Sequence, residues 1–488
     1  MNQPDTAAEV TQLRRTLSHP VVDGDGHIIE SFALFTEYLR KLNSTETAER
    51  VITQFRTQRT GSMGDPERGD QRGAWWGVTN DAKDLATVMA PALLSERLEE
   101  IGLDFTVLYP TLGLGLLTLP DPEARRLAVR ALNTMLAELS ADHQRHLTVA
   151  ASIPMHTPEE AIAELEHCVG SLGMKVAAIP AGVARPWPAY LEAFPTASFV
   201  DRYGLDSHFD YDPVWETFQR LGVAVTCHGA IGLRYLDSGR RSPTNYMFNH
   251  IGGHAYQQCE LAKSLIMGGV PLRFPDLRFA FLEGGVGWAC DLLHSLAEHW
   301  EKRNAKGLEA YDPGKLDGER LAQYLRDYGI NIPEGQSPLG WLSPRSRKSA
   351  EGTQPDWARD EFEPSGITDE KQFAEIFSTQ FYFGCEADDR GVYRALDGKG
   401  NPFSLRLNAM FSSDIGHWDV PHLGSVLLAS RGLVQLGLLS EADYRDFVFT
   451  HPVRVHGEMN PRFFEGTPAE SAARELLANG SATRTTQA

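Results

Sequence analysis

The chain has 488 residues, 42% of them hydrophobic, and a formal net charge of −19. A surface this acidic repels phosphate backbones and anionic lipid, which excludes nucleic acid and membrane as partners. The opening MNQPDTAAEVTQLRRTLSHP holds no apolar signal core, and no window approaches the roughly 18 apolar residues of a membrane span. Five scattered cysteines (Cys168, Cys227, Cys259, Cys290, Cys385) form no CxxC pair, which argues against a disulfide framework and a thiolate zinc site. The expected compartment is the reducing cytoplasm, where any metal must rely on His, Asp and Glu.

Residues 1–19 are polar and read as a loose arm. A strand follows at 20–28 (PVVDGDGHI), then a helix at LLSERLEEIG and a strand at LDFTVLYPT. DPEARRLAVRALNTMLAELSADH has helical apolar spacing opened by Asp-Pro. HLTVAASIP reads as a strand, and TPEEAIAELEHCV as a helix with Thr157 as N-cap and Pro158 at its first position. The strand MKVAAIPAG, the helix DPVWETFQRLG and the strand VAVTCHG come next. HAYQQCELAKSLIMGG and VGWACDLLHSLAEHWEKR are helices around the strand LRFAFLEGG. QFYFGCE and LNAMFSSD are strands, and SVLLASRGLVQLG is a helix.

Eight strands alternating with helices imply parallel pairing through crossovers. The fold class is therefore α/β, a (β/α)8 TIM barrel with large loop insertions, with an open doubly wound sheet as the alternative. The barrel domain spans 20–465, with insertions at 43–92, 183–208, 230–250 and 303–375 and a tail at 466–488. The first three insertions leave strand ends, where barrel loops build active sites, and are expected to cover one mouth.

Four strand ends carry ligand-type residues. The first reads Asp23-Gly24-Asp25-Gly26-His27-Ile28-Ile29-Glu30, in which alternate residues share a face. VAVTCHG ends at His228, FAFLEGG at Glu283, and AMFSSDIGHWD at Asp414, with His417 and Asp419 close behind. Buried ionisable groups are costly unless paired or metal-bound, so four such ends in one barrel point to a metal site. Asp25, His27, Glu30, His228, His254, Glu283 and Asp414 are the candidate ligands, enough for one or two divalent ions. This oxygen and imidazole set suits iron, manganese or zinc. Trp75 and Trp76, with Trp187, Tyr190 and Phe194, lie in loops that could lid a small-molecule substrate. Arg234, with Arg240 and Arg241, could bind a substrate carboxylate or phosphate, although solvated surface arginines are the commoner case.

These motifs resemble the amidohydrolase superfamily, in the branch that includes aminocarboxymuconate-semialdehyde decarboxylase. The resemblance runs from Val21 to Phe464 and is most specific in SLIMGGVPLRFPDLRFAFLEGGVGW and FSSDIGH. The family's first-strand HxH pair falls on Asp25 and His27, its fifth-strand His on His228, and its eighth-strand Asp on Asp414. Where the family's decarboxylases often carry a general His, this chain has Glu283. The DxDxHxxE strand with a sixth-strand Glu is also similar to a small dinuclear group in this branch that activates dioxygen with iron, or iron and manganese.

The leading expectation is a metal-dependent hydrolase, in which activated water attacks a carbonyl-type carbon. Asp414 would ligate metal and accept the water proton, Glu283 would bridge metals or act as a second base, and His417 would orient substrate or stabilise developing charge. The alternatives are a dinuclear iron or iron/manganese oxygenase, a non-oxidative decarboxylase, and a barrel retained for binding alone. A homodimer is left open.

Overall fold

In the computed structural model, residues 6–60, 79–111, 113–187, 192–193, 198–229, 242, 244–311, 315–333, 336 and 360–485 are described. Eight short runs of β-branched, aromatic and small residues form the barrel strands: β1 Val22–Ile28, β2 Phe105–Pro110, β3 Leu147–Ser152, β4 Val176–Pro180, β5 Val225–His228, β6 Phe279–Phe281, β7 Phe381–Glu386 and β8 Asn408–Ser412. They pair in sequential order and in parallel, which rules out the doubly wound alternative. The seam between the first and last strands is closed by Asp414 N donating to Asp25 O (3.0 Å) and His27 N donating to Ile415 O (2.7 Å). All eight strands fall on the runs expected from the sequence.

Strand alternation divides the core in two. Phe279, Phe281, Phe381 and Phe383 face the surrounding helices. Val176, Ala178, Ala280, Leu282, Tyr382 and Met410 fill the barrel interior and meet Phe463 and Phe464. The crossover helices begin as their sequences dictate: Asp121 caps Pro122–Ser140 and Thr157 caps Pro158–Leu165, each with proline in its first turn. All five cysteines are free thiols. No helix among the described residues is long and apolar enough to cross a membrane.

Two terminal expectations are corrected. Thr6–Thr16, read as a loose arm, is a helix that buries Val10 and pairs Arg14 with Asp104 at 2.5 Å. Burial of one apolar position with an ion pair outweighs a polar average composition. Glu470–Thr485, within the expected tail, is also helical and buries Ala473 beside Phe464. Parts of three insertions surround the C-terminal strand ends. Ala82–Met89 reaches the end of β1 through Ile29 N and Val88 O (2.9 Å), and 183–208 contains the antiparallel pair Val183–Pro186 and Ser198–Asp201. The short helix Tyr246–His250 meets Trp418 edge-on, with His250 and Trp418 ring centroids 5.3 Å apart.

Candidate metal centre

Inward-facing positions at the strand ends bring the expected donors together. His27 Nε2 and His228 Nε2 lie 3.1 Å apart, and Asp25 Oδ1 is 3.7 Å from the first and 3.8 Å from the second. Asp414 Oδ1 is 3.4 Å from His27 Nε2. Glu283 Oε2 is 3.3 Å from His228 Nε2 and 3.1 Å from His254 Nδ1, while Glu283 Oε1 is 2.9 Å from His417 Nδ1. His417 Nδ1 also lies 2.7 Å from Asp414 Oδ1, and its ring stacks on His27 at 3.6 Å. Bonds of about 2.1 Å to one ion create ligand edges of about 3.0 Å in an octahedron and about 3.4 Å in a tetrahedron. The observed spacings need only tenths of an ångström of adjustment to meet that range.

The chemistry of the donors fits a divalent cation on a second count. Both oxygens of Asp25 are buried without a hydrogen-bond donor. A buried carboxylate with no donor is expensive, and a cation is the partner this geometry offers. The donors form overlapping groups: Asp25, His27 and His228; His228, His254 and Glu283; and His27, Glu283, Asp414 and His417.

Three buried carboxylates in so small a volume repel one another. Burial, then Glu283 and Asp414, push Asp25 well above the usual carboxylate range. Burial also raises Asp414, with Glu283 adding to it against the pull of His417. Burial would raise Glu283 as well, but His254, His228 and His417 together draw it well below its ordinary value. Burial and the neighbouring imidazoles His417 and His228 hold His27 well below the usual histidine range, and burial takes His228 down to about 4. His417 goes the other way: Asp414 and Glu283 overcome its burial and raise it well above 6.5.

Backbone conformation aims two of these groups. Glu283 and Asp414 both adopt left-handed φ, at 59° and 53°. Leu282 faces the barrel interior, so regular alternation would turn Glu283 outward; its φ reverses that direction and returns the carboxylate to the axis. Small residues permit the approach of the others. A Cβ at Gly229 would stand 2.4 Å from His254 Nδ1, and Gly416, at φ 98°, would place one 2.8 Å from His27 O.

Glu30 is the candidate ligand the structure directs elsewhere. Its carboxylate accepts from Gly113 N (2.9 Å) and Thr111 N (3.1 Å), so it anchors the loop after β2 and joins none of the donor groups among the described residues. Asp23 likewise serves the seam, accepting from Thr106 Oγ1 (2.7 Å), Ser413 Oγ (2.6 Å) and Ser413 N (2.8 Å). Trp75, Trp76, Tyr190, Phe194, Arg234, Arg240 and Arg241 lie outside the described residues. Trp187 is 44% exposed and packs on Phe199.

The sequence reading passed over Glu386, which closes β7. Oxygens of Glu386, Asp414 and Asp419 lie within 4.8 Å of one another, and burial with Asp419 pushes Glu386 up to about 7. Its signal was the one used elsewhere, an apolar run (FYFGC) stopping at an acid, and it went unused at that strand.

Fold and donors together define an α/β barrel with a candidate metal centre at the C-terminal ends of its strands. Residues 119–328 match the family model described as amidohydrolase. The curated 2-amino-3-carboxymuconate-6-semialdehyde decarboxylase of Dictyostelium discoideum is 26% identical over 154 residues, a stretch covering 32% of this chain and 36% of that protein. Among solved structures, an amidohydrolase of Mycobacterium avium subsp. paratuberculosis K-10 is 17% identical, with 91% of this chain and 100% of that one covered and a TM-score of 0.52. A dihydroxybenzoic acid decarboxylase of Polaromonas sp. JS666, solved with bound manganese and 2-nitroresorcinol, is 14% identical over 92% and 99% of the two chains, with a TM-score of 0.46.

Proposed function

We propose that this chain is a metal-dependent carboxy-lyase that releases carbon dioxide from a small organic carboxylate without consuming oxygen. The observation that carries the reading is the placement of His417 between Asp414 (2.7 Å) and Glu283 (2.9 Å), at the rim of the donor cluster. Replacing a carboxylate on carbon by hydrogen needs a proton donor beside a site that binds the departing group, and His417 supplies one. The similarity to a decarboxylase favours this reaction over the hydrolysis expected from the sequence.

Asp25, His27, His228, Glu283 and Asp414 would hold the ion, which supplies Lewis acidity to substrate oxygens when bound. Asp414 and Glu283 keep the His417 imidazole protonated and fix its ring. Its proton passes to the substrate carbon as the carboxylate leaves as carbon dioxide, and a proton from solvent restores it.

A second reading has its own observation. Glu283 meets three imidazoles, His228, His254 and His417, and so completes a second donor group. That arrangement supports a dinuclear iron or iron/manganese oxygenase. The test loads the protein with manganese, zinc or iron and incubates it with a panel of aromatic and unsaturated carboxylates, following carbon dioxide and oxygen together. Carbon dioxide release under anaerobic conditions is expected. Turnover that stops without oxygen, with iron loaded, would replace the first reading by the second.

A further inference from the structure

His27 turns Nε2 toward the donor cluster, 3.1 Å from His228 Nε2 and 3.4 Å from Asp414 Oδ1. An imidazole that ligates through Nε2 is neutral and carries its proton on Nδ1. The His27 side chain is wholly buried, so that N–H needs an acceptor inside the protein. Among the described residues, the hydrogen-bond partner of Nδ1 is Thr111 Oγ1, at 3.5 Å. The same contact is the hydroxyl's own hydrogen bond among the described residues.

The backbone places Thr111 for this contact. It stands two positions past Tyr109, the register partner of His27 on β2. Its N–H is shared between Ile28 O (3.2 Å) and Glu30 Oε2 (3.1 Å), and Glu30 Oε1 accepts from Gly113 N at 2.9 Å. The segment that continues β1 thus pins the turn that presents the hydroxyl to His27. At 3.5 Å the contact is longer than the usual separation of about 2.9 Å. A cation on Nε2 draws charge from the ring and makes Nδ1–H a stronger donor, and charge-assisted bonds of this kind are shorter. Histidine ligands hold their orientation and tautomer through such an outer hydrogen bond.

We propose that Thr111 is a positioning residue of the metal centre, its hydroxyl oxygen accepting from His27 Nδ1–H and fixing the tautomer and ring angle in which Nε2 meets the ion. The proposal rests on the ion-binding reading of His27, and not on which reaction follows.

The test compares the full-length protein with Thr111→Val, Thr111→Ser and His27→Ala, measuring manganese and zinc dissociation constants against a chromophoric chelator. Cobalt-loaded samples add a visible absorption spectrum, zinc-loaded samples an imidazole nitrogen NMR spectrum, and ion-free samples a thermal midpoint. Valine keeps the branched shape and removes only the oxygen, whereas serine keeps the oxygen and removes a methyl. Thr111→Val is expected to weaken ion binding about 10-fold, shift the cobalt bands and move the His27 Nδ1 resonance. Its ion-free midpoint should stay near wild type, because the fold keeps the same volume and backbone bonds. Thr111→Ser should restore affinity and both spectra. Wild-type affinity and spectra in Thr111→Val, with His27→Ala impaired, would overturn this proposal alone. A loss that serine does not rescue would also overturn it, by assigning Thr111 to loop packing. Wild-type protein that takes up no ion would overturn the ion-binding reading with it.

Discussion

Replacing Glu283 by glutamine separates a metal ligand from a structural acid. The competing account is a buried salt bridge, and breaking one strands its partner at a cost of about 3–5 kcal/mol. Among the described residues, however, Glu283 meets no arginine or lysine; its ionic neighbours are His228, His254 and His417 at 2.9–3.3 Å. Glutamine is isosteric and keeps hydrogen-bonding capacity, so the ion-free variant should fold with little loss. Its deficit should appear only when ion is added. At 100 times the dissociation constant a bound ion stabilises the native state by about 2.7 kcal/mol, and a 100-fold weaker site retains about 0.4 kcal/mol of that. Unfolding entropy of about 2.1 cal/mol/K per residue over 488 residues is about 1.0 kcal/mol/K. The variant should therefore lose about 2 °C of the ion-induced rise in Tm, with activity down at least about 100-fold. Calorimetry at several ion concentrations, with elemental analysis, measures both. A variant destabilised by about 3–5 kcal/mol without ion, yet with wild-type ion affinity, would refute the reasoning.

Three further outcomes follow from burial elsewhere. Arg125→Met should cost about 3–5 kcal/mol in chemical denaturation, because it strands Glu160, whose carboxylate accepts from Arg125 Nε and Nη2 at 2.9 and 2.8 Å in the interior. His456 is buried with both nitrogens unpartnered, and burial takes it down to about 3. Its folded value lies below its unfolded value of about 6.5, so its contribution is present above that pH and is lost as pH falls toward 3; His456→Leu should flatten the acid limb of stability against pH. Glu30→Gln should leave ion content unchanged, because that carboxylate is spent on the amides of Thr111 and Gly113; loss of ion in elemental analysis would return Glu30 to the ligand set.

The barrel was legible because hydrophobic period and strand-end punctuation are local properties. PVVDGDGHI, VAVTCHG and LNAMFSSD each announce both a strand and what stands at its end. The convergence of Asp25, His27, His228 and Asp414 was legible for the same reason. Glu30 stands apart from that cluster because sequence adjacency to Asp25 and His27 does not tell where β1 stops and the chain turns to meet the amides after β2. Glu283 is the instructive case: period-two alternation from Ala280 and Leu282 places it on the outer face, and only its left-handed backbone returns it to the axis. The helix Thr6–Thr16 was missed because its single buried position, Val10, carries no period.

The charge of the centre links ion number to reaction. With an ion bound, Asp25, Glu283 and Asp414 would bring three negative charges to the centre, and a protonated His417, raised by Asp414 and Glu283, one positive. One divalent ion with three ionised carboxylates and His417 protonated is then neutral, which leaves His417 able to donate its proton as a carboxy-lyase requires. A second divalent ion beside Glu283 would compete directly for His417 Nδ1, which lies 2.9 Å from Glu283 and 2.7 Å from Asp414. That ion must expel the proton, because ligating imidazole is neutral. Ion number and proton donation therefore oppose each other. Titrating the ion-free protein with manganese or iron(II) in weakly buffered solution near pH 7, with proton release recorded, reads the conflict directly. A single uptake step that leaves the His417 proton in place fits the carboxy-lyase. A second step of comparable affinity that releases that proton, absent in His417→Gln, would move the assignment to the dinuclear oxygenase.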